Sequence, residues 1–238
     1  MLQRHHLSVL EAKSTDDLRN QVVTFAQSLG FRTVTAFVVI DHSPTESTFF
    51  GVDNTPIAFA EAYHDERLGK ADPVMQHCKH RSLPIIWDQT TYVQNKASEL
   101  WEHQASYGYR SGIALALHLP GGKHFSLGVD SDRPISSDSR QLTRIVAELQ
   151  LFAAHAQETA FRVLVPPAPA FPMRPQLTPR ELEVLKWTMD GRSSAEIGKM
   201  LNIAERTVVF HLQNAMRKLN CTSKYLAVLK AIRLGLLA

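Results

Sequence analysis

LTPRELEVLKWTMDGRSSAEIGKMLNIAERTVVFHLQNAMRKLN, residues 177–220, decides the architecture of this chain, because its helix starts and stops are written in capping chemistry. Thr178, Pro179 and Glu181 combine an N-cap hydroxyl, a proline at the first helical position and the returning carboxylate of a capping box. Val184, Leu185 and Thr188 share a face, and Gly191 ends the helix. Ser193 and Glu196 repeat the capping spacing for a helix of barely two turns, with Ile197, Met200 and Leu201 as its apolar stripe. After Asn202-Ile203-Ala204, a third helix carries Val208, Leu212, Ala215 and Leu219 at helical spacing, which fixes one buried face.

The rest of that third helix displays Arg206, Thr207, Val209, Gln213, Asn214, Arg217 and Lys218. Cations beside amides suit a helix that lies in a major groove with its flanks on phosphates, which predicts double-stranded DNA as a partner. Ser223 caps a fourth helix with Ala227, Val228, Ala231 and Ile232 inward. From Gln176 onward there are ten Lys and Arg against five Asp and Glu, whereas the remainder is slightly acidic. A basic module on an otherwise neutral chain points to a polyanion.

Upstream, Val165 to Pro175 holds five prolines in eleven residues and is neither helix nor central strand. It predicts a linker over 165–175 between a domain over 1–164 and the helical module over 176–238. Ser14 opens a helix striped by Leu18, Val22, Phe25 and Leu29 and ended by Gly30. The period then changes to two over Thr33 to Ile40, Ile113 to Leu119 and Phe125 to Val129, the last two joined as a hairpin around Pro120-Gly121-Gly122-Lys123. Leu142, Ile145, Leu149, Phe152 and Ala156 stripe a long helix, which packs either on its own sheet or on a second copy.

This order predicts an α+β protein: an N-terminal α/β/α sandwich with a central antiparallel sheet, of the sensory PAS/GAF-like kind, followed by a four-helix helix-turn-helix domain. No apolar run approaches a membrane span and the N-terminus has no signal-peptide core, so a cytoplasmic protein is expected. Cys78 and Cys221 fall in different domains and are expected as free thiols. His77-Cys78-x-His80 places three ligand types too close for one ion on a regular helix, so neither metal nor cofactor is expected. A nucleophile elbow, a phosphate-binding glycine loop and a zinc-protease helix are all missing, which speaks against an enzyme. A phosphorylated receiver domain is disfavoured by the antiparallel hairpin, and a protein scaffold acting through the long helix predicts no DNA footprint.

LTPRELEVLKW, DGRSSAEIGKML and ERTVVFHLQNAMRKLN closely resemble the C-terminal helix-turn-helix of LuxR-type transcription regulators. Ala204 and Val209 depart from the serine and polar residue common there, which costs a cap and a base donor. The N-terminal half is similar to the family's autoinducer-binding domain through Tyr63, Asp72, Pro73, Trp87 and Gly112. That resemblance implies a quorum-sensing homodimer on a roughly palindromic operator, RNA polymerase as a candidate further partner, and an N-acyl-homoserine lactone effector. Carried over, Asp72 accepts the ligand amide N–H, Tyr63 donates to the acyl carbonyl, and Trp87 packs on the lactone. Tyr92 and Trp101 add aromatic wall, and Ser126 meets the acyl chain. Phe59 stands where the family has a tryptophan donor, so the ring contact is kept and the hydrogen bond lost.

Overall fold

In the computed structural model, which describes residues 6–43, 46–57, 59, 71–166 and 175–237, the chain divides into two compact units, Met1–Pro166 and Pro167–Ala238. The first unit begins with a short 3-10 turn at Val9–Glu11 and helix α1, Thr15–Ser28. Ser14 caps α1 with a full capping box to Asp17, and Gly30 turns the chain out at φ 90°. Strands β1 (Thr33–Ser43) and β2 (Glu46–Asp53) follow, then α2 (Pro73–His80), β3 (Ile85–Trp87), α3 (Gln89–Gln94) and α4 (Ser98–Ala105). The unit closes with β4 (Ser111–Leu119), β5 (Lys123–Ser131) and the long α5 (Ser139–Leu164).

The strands form one sheet in the order β2-β1-β5-β4-β3, and every pairing among the described residues is antiparallel. That arrangement excludes the parallel layout of a receiver domain. The β4–β5 hairpin turns through Gly121 and Gly122 at φ 79° and 68°, with Leu119 opposite Lys123, where the sequence places it.

The alternation of the strands decides what each face meets. Val34, Ala36 and Val38, Ile113 and Leu115, and Phe125, Leu127 and Val129 all bury one face of the sheet under α1 and α5. There Phe25 stacks on Phe152 with centroids 3.8 Å apart. Leu149, Phe152 and Ala156 are fully buried in this core, so the stripe of α5 packs on its own sheet. The opposite face carries α2, α3 and α4, whose Val74, Cys78, Tyr92 and Leu100 pack with Trp87, Ala114 and Ala116.

Two strands escaped the sequence reading. β2 alternates toward solvent with Phe49 59% exposed, so its pattern is that of an edge and not of a core strand. β3 is three residues long, too short to show a period.

The second unit is four helices: α6 (Pro179–Met189), α7 (Ser194–Leu201), α8 (Glu205–Lys218) and α9 (Lys224–Arg233). Both predicted capping boxes form, Thr178 with Glu181 and Ser193 with Glu196. Asn202 takes the left-handed conformation after α7, and Ile203 N donates to Gly198 O at 2.9 Å. A Cβ on Gly198 would lie 2.8 Å from the Ile203 carbonyl, so only glycine lets the turn close this tightly. Val184, Leu185, Ile197, Val208, Leu212, Ala215, Leu219, Ala227, Val228 and Ala231 form its core. Among the described residues no helix is long and apolar enough to cross a membrane.

Candidate functional site

The face of the sheet that carries α2, α3 and α4 holds a cluster of buried polar groups. Asp72 is 6% exposed and caps α2, accepting from Val74 N at 2.7 Å and Met75 N at 3.4 Å, with Pro73 at the first helical position. Its Oδ1 also accepts from the Tyr92 hydroxyl at 3.2 Å, with Gln104 Oε1 3.4 Å from the same hydroxyl. The one hydroxyl proton is thus shared between a carboxylate and an amide, and Tyr92 is almost fully buried. Asp72 therefore starts α2 and at the same time ties that start to the buried Tyr92 of α3.

Aromatic rings wall this end. Trp87, 4% exposed, meets Tyr92 edge to face at 5.8 Å and covers Gly112, where an added Cβ would come within 2.6 Å of the indole. Trp101 sits in the same cluster with its indole N–H already donating to Arg110 O at 3.1 Å. Phe59 stacks on Tyr109 with centroids 4.1 Å apart. Ser126, 7% exposed, lies on β5 opposite Phe37 and Ala116, on the face that carries Ala114 and Ala116. The fold thus brings Phe59, Asp72, Trp87, Tyr92, Trp101 and Ser126 to one side of one sheet. Tyr63 lies outside the described residues.

Three groups here were not read from the sequence. Asp130 continues the face of Ser126 and Gly128 by strand alternation and pairs with Gly112 and Thr33, a signal that period two alone contained. Burial, followed by the Asp72 charge, pushes its carboxyl up to about 7. Tyr109, 6% exposed, has a buried hydroxyl without a hydrogen-bond partner, and burial raises its pKa first, with Asp130 adding to the effect. The Thr55 and Thr33 hydroxyls lie near enough to it to act against that rise. Gln104, 4% exposed, leaves its Nε2 without a partner. Unserved buried polar groups are costly, and two of them, the Tyr109 hydroxyl and Gln104 Nε2, lie at this aromatic-walled end.

The histidines and cysteine of α2 are turned apart: His77 Nε2 contacts Leu83 O at 2.7 Å, whereas Cys78 is buried and its thiol is pushed up to about 12 by burial and by Asp72. Both Cys78 and Cys221 are free thiols.

In the second unit, α8 exposes Arg206, Val209, Gln213 and Arg217, while Thr207 and Asn214 are half-buried. Arg217 donates to Asn214 Oδ1 at 3.1 Å. Lys218 departs from its expected place: its Nζ donates to Glu181 Oε2 at 2.8 Å and to Gln176 O at 3.1 Å. Glu181 is 3% exposed and also serves the Thr178 N–H at 2.7 Å, so Lys218 ties α8 to the start of α6. Phe210 was passed over in the sequence because phenylalanine reads as core. It is 58% exposed and stands directly opposite the buried line Val208, Leu212, Ala215 and Leu219, flanked by Arg206, Gln213 and Arg217. Ala204 makes no side-chain cap for α8. Ala204→Ser is expected to stabilise this unit by about 1 kcal/mol, read as a higher urea midpoint at unchanged slope.

Comparison with known proteins places these two units in context. Residues 14–160 match the family described as "Autoinducer binding domain", and residues 175–231 match "Bacterial regulatory proteins, luxR family". The transcriptional activator protein AnoR of Acinetobacter nosocomialis is 30% identical over 228 residues, covering 96% of this chain and 95% of AnoR. A crystal structure of Escherichia coli SdiA superposes with a TM-score of 0.72 at 25% identity, covering 100% of this chain and 98% of that one. A structure of SdiA in complex with octanoyl-rac-glycerol gives 0.71 at 25% identity, covering 99% and 94%.

Proposed function

We propose, for a chain that belongs to the LuxR family of autoinducer-binding transcription regulators, that its effector is an N-acyl-homoserine lactone or a related acyl amphiphile held around Asp72. The observation that carries this reading is the buried Asp72 carboxylate, set among Trp87, Tyr92 and Phe59 with unserved Gln104 and Tyr109 groups beside it. Asp72 accepts the ligand amide N–H, Trp87 packs on the head group, and Trp101 and Ser126 border the acyl chain. Tyr63 is carried as the donor to the acyl carbonyl. Phe59 gives ring contact and no donor.

On this reading residues 1–164 bind the ligand and dimerise, 165–175 link, and 176–238 bind DNA in the cytoplasm. Two recognition helices, one from each copy, need two half-sites and hence a roughly palindromic operator. Arg206, Thr207, Asn214 and Arg217 contact phosphates, Gln213 reads a base edge, and Val209 meets a thymine methyl. Phe210, which has no cover on the exposed face of α8, joins Val209 at methyl groups. Ligand occupancy orders the first unit and sets the spacing of the DNA modules, with RNA polymerase a further partner.

Thermal unfolding against a series of N-acyl-homoserine lactones of increasing chain length tests the effector. A ligand at one hundred times its Kd stabilises by about 2.7 kcal/mol, and Asp72→Asn is expected to abolish the rise while leaving DNA binding intact. An unchanged rise in Asp72→Asn refutes the role of Asp72. For the DNA face, Gln213→Ala and Phe210→Ala are expected to relax sequence preference by about 1–3 kcal/mol at single base pairs, whereas Arg217→Ala weakens binding to all sequences and lowers the salt slope. A competition assay over randomised operators reads both. Lys218→Ala is expected to act through stability, because it strands the buried Glu181 carboxylate. A second reading, a non-lactone acyl ester as effector, is favoured by the SdiA complex with octanoyl-rac-glycerol.

A further inference from the structure

We propose that Tyr109 and Asp130 form a second polar anchor beside Asp72, built to hold a free hydroxyl on the ligand. The inference rests on the ligand-binding reading above and specifies the chemistry of the ligand that the site takes.

The geometry supplies both halves of what a hydroxyl needs. Tyr109 has a phenol O–H that is buried, unpartnered, and held in place by its stack on Phe59. Asp130 comes from the face of β5 that continues Ser126 and Gly128, directly across the ladder from Gly112 and so next to the Trp87 ring that covers it. Tyr109 and Asp130 are close enough that the charge of one acts on the other. A ligand hydroxyl accepts from the Tyr109 phenol and donates to the Asp130 carboxyl, satisfying both at once. A lactone ring presents only acceptor oxygens at that end, so it gives the ionised Asp130 carboxylate no donor.

Carboxylates are the charges that act on this pair. The charge acting on Asp130 is that of Asp72, from the start of α2, and Asp53, from the end of β2, acts on Tyr109. The Asp130 carboxyl at this apolar-walled end calls for a ligand donor of its own, separate from the amide that Asp72 takes on the reading above. An acyl glycerol and an N-acyl amino alcohol carry that second donor in the head group. A 3-hydroxyacyl homoserine lactone carries it in the chain.

Isothermal titration of the full-length protein separates these sources. N-octanoyl-homoserine lactone, N-(3-hydroxyoctanoyl)-homoserine lactone, N-octanoyl-ethanolamine and 1-octanoyl-glycerol are compared on wild type, Tyr109→Phe and Asp130→Asn. Tyr109→Phe removes one hydroxyl and keeps the ring that stacks on Phe59, so the fold is expected to persist. At least one hydroxyl-bearing compound is expected to bind roughly tenfold or more tightly than the unsubstituted lactone. Asp130→Asn is expected to erase that preference while changing the unsubstituted lactone less than about threefold, and Tyr109→Phe to weaken the hydroxyl-bearing compound most. Which compound shows it assigns the hydroxyl to head or chain. If compounds bind wild type without preference for a hydroxyl, or the variants weaken all of them alike, the anchor is refuted and the ligand-binding reading stands. If none binds wild type, that reading fails and the anchor with it.

Discussion

Gly112→Ala is expected to cost the first unit about 3 kcal/mol and to displace Trp87. An added Cβ would lie 2.5 Å from the Val129 carbonyl oxygen and 2.6 Å from the Trp87 indole. The carbonyl belongs to the β4–β5 ladder and has no freedom to yield, so either the ladder shifts or Trp87 leaves its place in the wall. Overpacking of this kind costs about 1–3 kcal/mol, and a clash with backbone puts it at the upper end. Gly128→Ala is the control, because its Cβ would meet Ala114 at an ordinary 4.0 Å. Urea denaturation reads both: a midpoint lowered in Gly112→Ala and nearly unchanged in Gly128→Ala. Equal midpoints would show that the sheet absorbs the methyl group and that Trp87 is not held against Gly112.

Asp130→Asn is expected to remove a pH dependence that the ligand-free wild type carries. The Asp130 carboxyl is raised from 3.8 to about 7 by burial and by Asp72. Between those values the unfolded chain has released the proton and the folded chain still holds it. Stability from this group is therefore full below about pH 4, is lost as pH rises, and levels off above about 7. Each unit is worth about 1.4 kcal/mol, and because Asp130 keeps some solvent access, a total of roughly 2–4 kcal/mol is expected. That corresponds to roughly 5–15 °C in Tm for a unit of this size. The difference between wild type and Asp130→Asn isolates the effect from carboxylates shifted the other way, such as Asp41, lowered first by the Ser47 hydroxyl, and Glu181, which Lys218 holds down against burial. A flat difference curve from pH 4 to 8 would mean that the carboxyl is solvated.

Asp130 and Lys218 also show what the sequence leaves open about a site. The capping role of Asp72 was legible because those partners lie two and three residues on, in the turn that it caps. Asp130 gains its chemistry from Asp72, 58 positions earlier in the numbering, and from Tyr109. Lys218 reads as one more cation on a basic helix, yet its acceptor is Glu181, separated by 37 residues. Side-chain type announced a charge in each case; only the packing chose the partner.

The sequence by itself determined the helices of the second unit, the capped start of α1 and the β4–β5 hairpin. Their signals, a hydroxyl and a carboxylate three residues apart, a glycine at positive φ, an apolar period, act within a turn or two of chain. The tertiary structure alone decided that the stripe of α5 packs on its own sheet, that β2 and β3 extend that sheet to both edges, and that Phe210 faces outward. These depend on which distant surfaces remove each other from water. Burial is a property of the assembled core, and no local window contains it.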